Sequence, residues 1–342
     1  MRAGVFKGKG IVEIEEVMKP ACGDKDAIIK VQACGVCGTD VHIFDGAEGA
    51  AATSPPVILG HEFSGIVEQV GAKVEGVRVG DRVTVDPNNT CGGCHYCKSG
   101  LAHFCENMVG YGTTTNGGFA QYCAVHYKQL YKLADHVSFE EGAMCEPIAC
   151  CLHGIDNCGI RPGSTVMIIG GGTIGLIMIQ LAKLSGAAKV ILSEPIAEKK
   201  ELGNKVGADI TIDPINEDVE AILDKNGIYQ IETVIECVGR KATMTDAIKY
   251  AGKNSVVMLF GLGNPQDEIS VKPFEIFKKE IQIKASYINP YTQGRAMNLI
   301  NSGRIDVRTL IGGTISLDEL SNTLGDASKR RNGKVIVNPW KA

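Results

Sequence analysis

Two patterns of apolar and polar positions divide the chain. Up to about residue 145, short runs rich in Val and Ile, such as "AIIKVQA", "SGIVEQVG" and "DRVTVDP", are bounded by Gly, Pro and Asp. Such runs predict strands, and helical periodicity is weak there. The character changes in "RPGSTVMIIGGGTIGLIMIQLAKLSGAAKVILSEP". Here "VMIIG" predicts a strand, Ile174 to Leu184 a helix, "KVILSE" a strand, and the stretch from Lys199 to Val206 a helix. "ETVIECVG", "SVVMLFG" and "IQIKAS" continue the series, and the alternation predicts a parallel sheet with crossover helices. Near the C-terminus, "LDELSNTLGDASKRR" predicts a helix, and "NGKVIVNP" a turn into a final strand. There is no internal repeat or low-complexity linker, so the two parts are expected to pack closely around a cleft.

Composition narrows the class. The 342 residues are enough for two domains and a large core. A net charge of −4 argues against a binder of nucleic-acid backbone, which needs a strongly basic face. No apolar stretch reaches the roughly 18 residues that a membrane span requires. The N-terminal "MRAGVFKGKGIVEIEEV" lacks a signal core, so a cytoplasmic protein is expected. Thirteen cysteines in such a chain are better read as metal ligands and small buried apolar residues than as a disulfide framework, and an odd count leaves one unpaired in any case.

"GGGTIG" holds Gly170-x-Gly172-x-x-Gly175. The pattern alone is weak, but it follows an apolar strand and opens a helix. The first glycine permits a tight turn, the second lets the backbone approach a pyrophosphate, and the third lets helix and strand pack closely. The helix start at Thr173 and Ile174 then offers free N–H groups to phosphates. Glu194, at the end of the next strand, suits ribose hydroxyls and repels a 2′-phosphate, so NAD is expected over NADP. Lys199 and Lys200 are the opposing signal, since a lysine can pair with that phosphate.

"CGGCHYCKSGLAHFC" places Cys91, Cys94, Cys97 and Cys105 in a C-x-x-C-x-x-C-x(7)-C spacing. Four thiolates on a glycine-rich loop can surround one zinc and leave no open position, which makes a site that shapes a lobe and does no chemistry. An iron–sulfur cluster would need redox partners, and a nucleic-acid zinc knuckle would need basic and aromatic neighbours. His95 and His103 are read as loop residues. The remaining thiols, Cys22, Cys34, Cys123, Cys150, Cys151, Cys158 and Cys237, are read as small buried apolar side chains.

"CGVCGTDVH" (34–42) and "GHEFSG" (60–65) add Cys37, Thr39, His42, His61 and Glu62. Together with "GDRVTVDP", the four-cysteine loop, "GGFAQY", "EPIACCLHGI" and the glycine motif, in this order, the chain resembles the zinc-dependent medium-chain dehydrogenases over essentially its whole length. Through "CEP" at 145–147 it looks most like their sorbitol (polyol) branch. The resemblance implies an α/β protein with a Rossmann doubly wound parallel sheet at 148–284. It also implies a β-rich GroES-like catalytic domain from 1–147 and 285–342. Two zincs per chain and NAD are implied as cofactors. A catalytic zinc would be held by Cys37 and His61, with Glu62 as third ligand and Glu146 as a ligand directly or through water. Cys145 is a rival to Glu146: if that segment is extended, only one of the pair can face the metal. Thr39 and His42 are implied to relay the proton of the alcohol to solvent. The implied reaction is reversible oxidation of a secondary alcohol of a polyol or sugar alcohol to a ketone. Activity of the L-threonine 3-dehydrogenase or 2,3-butanediol dehydrogenase type is the alternative, and a non-enzymatic relative a remote one. Ile288 stands where animal sorbitol dehydrogenases carry a sugar-binding arginine, and Ile43 and Phe44 where that branch has tyrosines. Tyr111, Phe119 and Tyr287 are candidates to line the pocket, although aromatics at such places are as often core. A homotetramer is expected, with "SVVMLFGLG" as an edge strand and dimer contact.

Overall fold

The structure, a computed structural model, describes residues 1–47 and 52–341. It falls into two compact units, Met1–Ala149 with Asn289–Ala342, and Cys150–Ile288. The divisions lie two and four residues beyond those expected, after 149 and 288 instead of 147 and 284. Among the described residues, no helix is long and apolar enough to cross a membrane.

In the first unit the short Val/Ile runs form a seven-stranded sheet. Its path runs Leu130–Lys132, Arg82–Val85, Glu62–Val70, Asp26–Gly35, Lys334–Val337 and Ile311–Ile315, with Tyr122–His126 pairing to Asp26–Gly35. Asp26–Gly35 is buried along most of its length, as a strand covered on both faces must be. Two neighbours fix its C-terminal end. Gly35 pairs with Glu62 on one side and with Ile336 on the other. The C-terminal strand is thus an interior member of this sheet. Ile43, Phe44, Phe63, Tyr111 and Phe119 belong to its core. Phe119 is fully buried, and the Tyr111 hydroxyl accepts the His126 N–H at 2.9 Å. Of the two roles open to these aromatics, pocket lining or core, their burial supports the core.

The second unit is a six-stranded sheet in the order Ile210–Ile212, Lys189–Ser193, Thr165–Ile169, Thr233–Glu236, Val256–Leu259, Gln282–Ala285. All its pairings are parallel. Taken in chain order the strands lie 3-2-1-4-5-6, the doubly wound arrangement. One expectation is corrected here. Val256–Leu259 is not an edge strand, because it pairs on both sides; the edge is Gln282–Ala285.

Two further expectations change. The segment "LDELSNTLGDASKRR" is not one helix. It breaks into Leu317–Glu319, Leu320–Gly325 and Ala327–Arg330, because the Asp326 side chain takes the Ser328 N–H (2.8 Å) and starts a new turn. Cys145 and Glu146 are not extended; they open the helix Cys145–Cys158. Neighbours there diverge by about 100°, so the argument from opposite faces of a strand does not apply.

A polar network ties the chain back to the first unit after it leaves the second. Asn289 Nδ2 donates to Asp86 Oδ1 (3.2 Å) and Gln293 Oε1 (3.2 Å), and Asn88 Nδ2 donates to Asn289 Oδ1 (2.6 Å). Gln293 Nε2 continues to the Val85 carbonyl (3.1 Å). Burial pushes the Asp86 carboxyl up to about 6, against the hydrogen bonds from Asn88 and Asn289. A carboxyl raised above its unfolded value binds more protons in the native state, so its contribution is full below about pH 4 and is lost as pH rises through about 6. An Asp86→Asn variant should remove a component of roughly 1–3 kcal/mol from the pH dependence of stability between about pH 4 and 7. Denaturant titrations of both proteins across that range would measure it; parallel curves would exclude it.

Candidate metal and dinucleotide sites

Cys37, His61 and Glu62 meet where the strands of the first unit converge. Cys37 ends the loop after Asp26–Gly35 and caps the helix Gly38–Phe44, while His61 and Glu62 stand at the start of the paired strand. One donor atom from each, a thiol sulfur, an imidazole nitrogen and a carboxylate oxygen, lie within 4.8 Å of one another. His61 and Glu62 are buried and Cys37 half-buried. This mixed set of three donors suits zinc with a coordination position left open.

The geometry is held by residues that the sequence reading did not single out. Asp40 is fully buried. Its Oδ2 accepts the Cys37 N–H (2.8 Å), and its Oδ1 accepts the Gly60 N–H (3.3 Å) and lies 3.4 Å from His61 Nδ1. One carboxylate therefore orients the neighbours of two donors. Burial disfavours charge on His61, but Asp40 and Cys37 beside it raise the ring well above its ordinary value. A metal must displace that proton, so uptake releases protons.

Lys334 is the second such residue. It is buried, and its Nζ lies 2.7 Å from both oxygens of Glu62 and 3.3 Å from the Val36 carbonyl. Gly35 makes this contact possible, since a Cβ there would fall 2.1 Å from Glu62 Oε2. Burial opposes the ammonium charge, yet Glu62, Cys37 and Glu146 hold it well above the ordinary lysine range. Asp40 was legible inside "CGTDVH". Lys334 left a fainter signal, a single cation opening the apolar run "KVIV".

Glu146 is buried in the first turn of its helix, close enough to act on Lys334, but it is not one of the three clustered donors. Cys145 Sγ is directed to the Gln293 carbonyl at 3.8 Å, and burial raises its thiol strongly. Thr39 and His42 lie three residues apart on Gly38–Phe44, both half-buried, a spacing that puts them on one helix face.

The sulfurs of Cys91, Cys94, Cys97 and Cys105 also lie within 4.8 Å of one another. Gly93 and Cys94 N–H both reach Cys91 Sγ at 3.4 Å, and the Cys91 N–H reaches Cys105 Sγ at 3.3 Å. Those N–H groups pull Cys91 down to about 6, while burial and the neighbouring thiols push Cys97 up to about 11. Four thiolates this close need a cation, and zinc fits. His95 opens the short helix His95–Lys98 instead of lying in a loop, and His103 lies in the 3-10 turn Ala102–Phe104. Of the other thiols, Cys34, Cys123, Cys151 and Cys158 are buried, but Cys22, Cys150 and Cys237 are only partly so.

In the second unit the glycine loop is shaped as its sequence requires. Gly170 has φ +100°, which a side chain would strain, and a Cβ on Gly175 would come 1.8 Å from the Gly170 carbonyl oxygen. Gly172 caps the helix Thr173–Leu184 with nothing within 4 Å of where its Cβ would stand. That open approach to a helix start, with Thr173 and Ile174 first in the helix, fits a dinucleotide pyrophosphate. Glu194 is buried and braces the loop: Oε2 accepts the Gly171 N–H (2.7 Å) and Oε1 the Ile196 N–H (2.9 Å). Each oxygen keeps acceptor capacity for a ribose hydroxyl. Lys199 lies beside the loop, its Cβ 3.3 Å from where a Cβ of Gly171 would be, whereas Lys200 faces Glu217 at 3.8 Å.

Comparison with known proteins gives the family. Residues 23–135 match the alcohol dehydrogenase GroES-like domain, and residues 173–302 match the zinc-binding dehydrogenase domain. D-arabinitol dehydrogenase 1 of Uromyces fabae is 32% identical, the alignment covering 94% of this chain and 92% of that protein. An L-threonine 3-dehydrogenase of Pyrococcus furiosus is 34% identical, over 87% and 86%. A crystal structure of a protein from Sinorhizobium meliloti 1021, described as a zinc-binding dehydrogenase and bound to NADP, superposes with a TM-score of 0.95 at 39% identity, covering 99% of both chains. The chain is an oxidoreductase built from a GroES-like domain and a Rossmann-type sheet. It belongs to the zinc-dependent medium-chain dehydrogenases, near their polyol branch.

The two metal sites should separate by metal content and stability. Cys91→Ser should reduce bound zinc by one per chain and lower the melting temperature by roughly 5 °C or more. Cys37→Ser should also lose one zinc, with a much smaller change in melting temperature. Elemental analysis beside calorimetry reads both; equal thermal effects would refute the division.

Proposed function

We propose that the protein reversibly oxidises a secondary alcohol of a polyol or sugar alcohol to the ketone and transfers the hydride to NAD. The observation that carries this reading is the clustering of Cys37, His61 and Glu62 in a chain that also holds the glycine loop Gly170–Gly175. A zinc held by Cys37 and His61, with Glu62 and Glu146 as the carboxylates at hand, would act as a Lewis acid on the substrate oxygen.

The chain's own residues supply the rest. Asp40 holds the ligand loop and His61 in register. Thr39 can accept a proton from the substrate hydroxyl and donate its own onward, and His42, one turn along the same helix, can pass it to solvent. Gly170, Gly172, Thr173, Ile174 and Gly175 receive the pyrophosphate. Glu194 favours NAD by placing a carboxylate where a 2′-phosphate would be repelled, with Lys199 as the residue that tempers the preference.

Polyols are favoured by the likeness to an arabinitol dehydrogenase. The likeness to a threonine dehydrogenase supports a second reading, oxidation of L-threonine at C3. Turnover with NAD on a panel of pentitols, hexitols, 2,3-butanediol and L-threonine separates them, and activity on threonine alone would overturn the first. We also propose a homotetramer in the cytoplasm. The exposed edge strand Gln282–Ala285, preceded by a helix that exposes Phe274 and Phe277, supports self-association. Thirteen cysteines without a disulfide suit a reducing compartment.

Two substitutions test the assigned roles. Thr39→Val should lower kcat on the order of 100-fold at unchanged zinc content; full turnover would remove Thr39 from the proton path. Glu194→Gln should reduce the NAD-over-NADP ratio of kcat/KM on the order of tenfold. An unchanged ratio would show that Glu194 serves only to brace Gly171.

A further inference from the structure

Glu62 is in an unusual position for a metal ligand. It contributes an oxygen to the cluster with Cys37 and His61, yet both of its oxygens lie 2.7 Å from the Lys334 ammonium. The pair is nearly sealed from water, at 1% and 7% exposure, so its attraction is little screened. Nor is the contact incidental. Val36 N–H donates to the Val335 carbonyl, which aligns the start of Lys334–Val337 with the Cys37 loop, and the missing side chain of Gly35 leaves room for the Glu62 carboxylate. The surroundings are otherwise anionic: Cys37 and Glu146 act on the same lysine, and Asp40 faces His61.

We propose that Lys334 is a positioning residue that shares Glu62 with the catalytic metal. By engaging both carboxylate oxygens it withdraws negative charge from the ion, which leaves the ion more weakly held and more electron-demanding than Cys37, His61 and a free carboxylate would make it. A lysine placed only to fill space or to knit the strand into the sheet would not change how tightly the metal is bound. This inference rests on the zinc reading of the Cys37 site and goes beyond it, since it assigns the strength of that site to a residue that is not a ligand.

The test uses the zinc-loaded full-length chain and competition with a chromogenic chelator, which reads affinity without turnover. Lys334→Met should tighten the more labile zinc by about tenfold or more, because an attractive competitor for Glu62 is gone. Lys334→Arg should restore wild-type affinity. In a Glu62→Gln background, Lys334→Met should change affinity by less than about twofold, as coupling through a shared partner requires. If Lys334→Met is too unstable for titration, the rise in melting temperature on adding zinc to protein whose four-cysteine site is already filled reads the same quantity, and it should exceed that of the wild type. Unchanged or weaker zinc binding in Lys334→Met, an equal effect with and without Glu62, or a variant that zinc does not stabilise would each overturn the inference. A wild-type chain that binds one zinc, and keeps it in Cys37→Ser, would instead overturn the zinc reading itself.

Discussion

The first unit is organised around an electrostatic constraint: a thiol, three carboxylates and an imidazole are drawn into a poorly solvated place. Left bare, such charges repel one another and lose their hydration. The structure answers with directed partners. Asp40 takes two backbone N–H groups and faces His61, and Glu62 takes the only buried lysine among the described residues. Around this balance the rest falls into place. Gly35 must lack a side chain, the C-terminal strand must join the sheet interior, and the loop bearing Cys37 must turn at once into a helix.

The second unit follows a steric rule instead. Its loop depends on contact between Gly170 and Gly175, and on Glu194, which holds the backbone of Gly171 from the neighbouring strand. The same carboxylate that is proposed to bear on cofactor choice is thus part of the loop's own frame. On that reading, a change at this position is expected to disturb the shape of the loop as well as recognition, because the hold on the Gly171 backbone is lost with it.

Much of this was legible in the sequence, for identifiable reasons. Five of the six strands of the second unit are legible as apolar runs, as parallel strands covered on both faces tend to be, whereas the three-residue edge strand Ile210–Ile212 is too short and too exposed to stand out. The cysteine loop and the glycine loop are legible because their ligand and turn requirements fix spacing within a few residues. Pairings between distant segments are not written locally. Nothing in "SVVMLFG" tells whether Gln282–Ala285 will lie outside it, so the edge was misplaced. For Tyr111 and Phe119 the sequence leaves pocket lining and core both open, because side-chain type does not reveal which face of a fold it meets. Lys334 stayed hidden because its meaning depends on Glu62, 272 residues earlier in the chain.

That separation has a consequence for biogenesis. A growing chain exposes Cys37, His61 and Glu62 long before Lys334 exists, and the whole second unit is synthesised in between. During that interval the nascent first unit lacks both an interior strand of its sheet and the cation that balances its acidic centre. Its native topology can close only after translation has passed the inserted unit, whereas the second unit, contiguous in sequence, has all its strands available earlier. The order of maturation is therefore expected to run opposite to the order of the gene for the catalytic half, with the nucleotide half complete first.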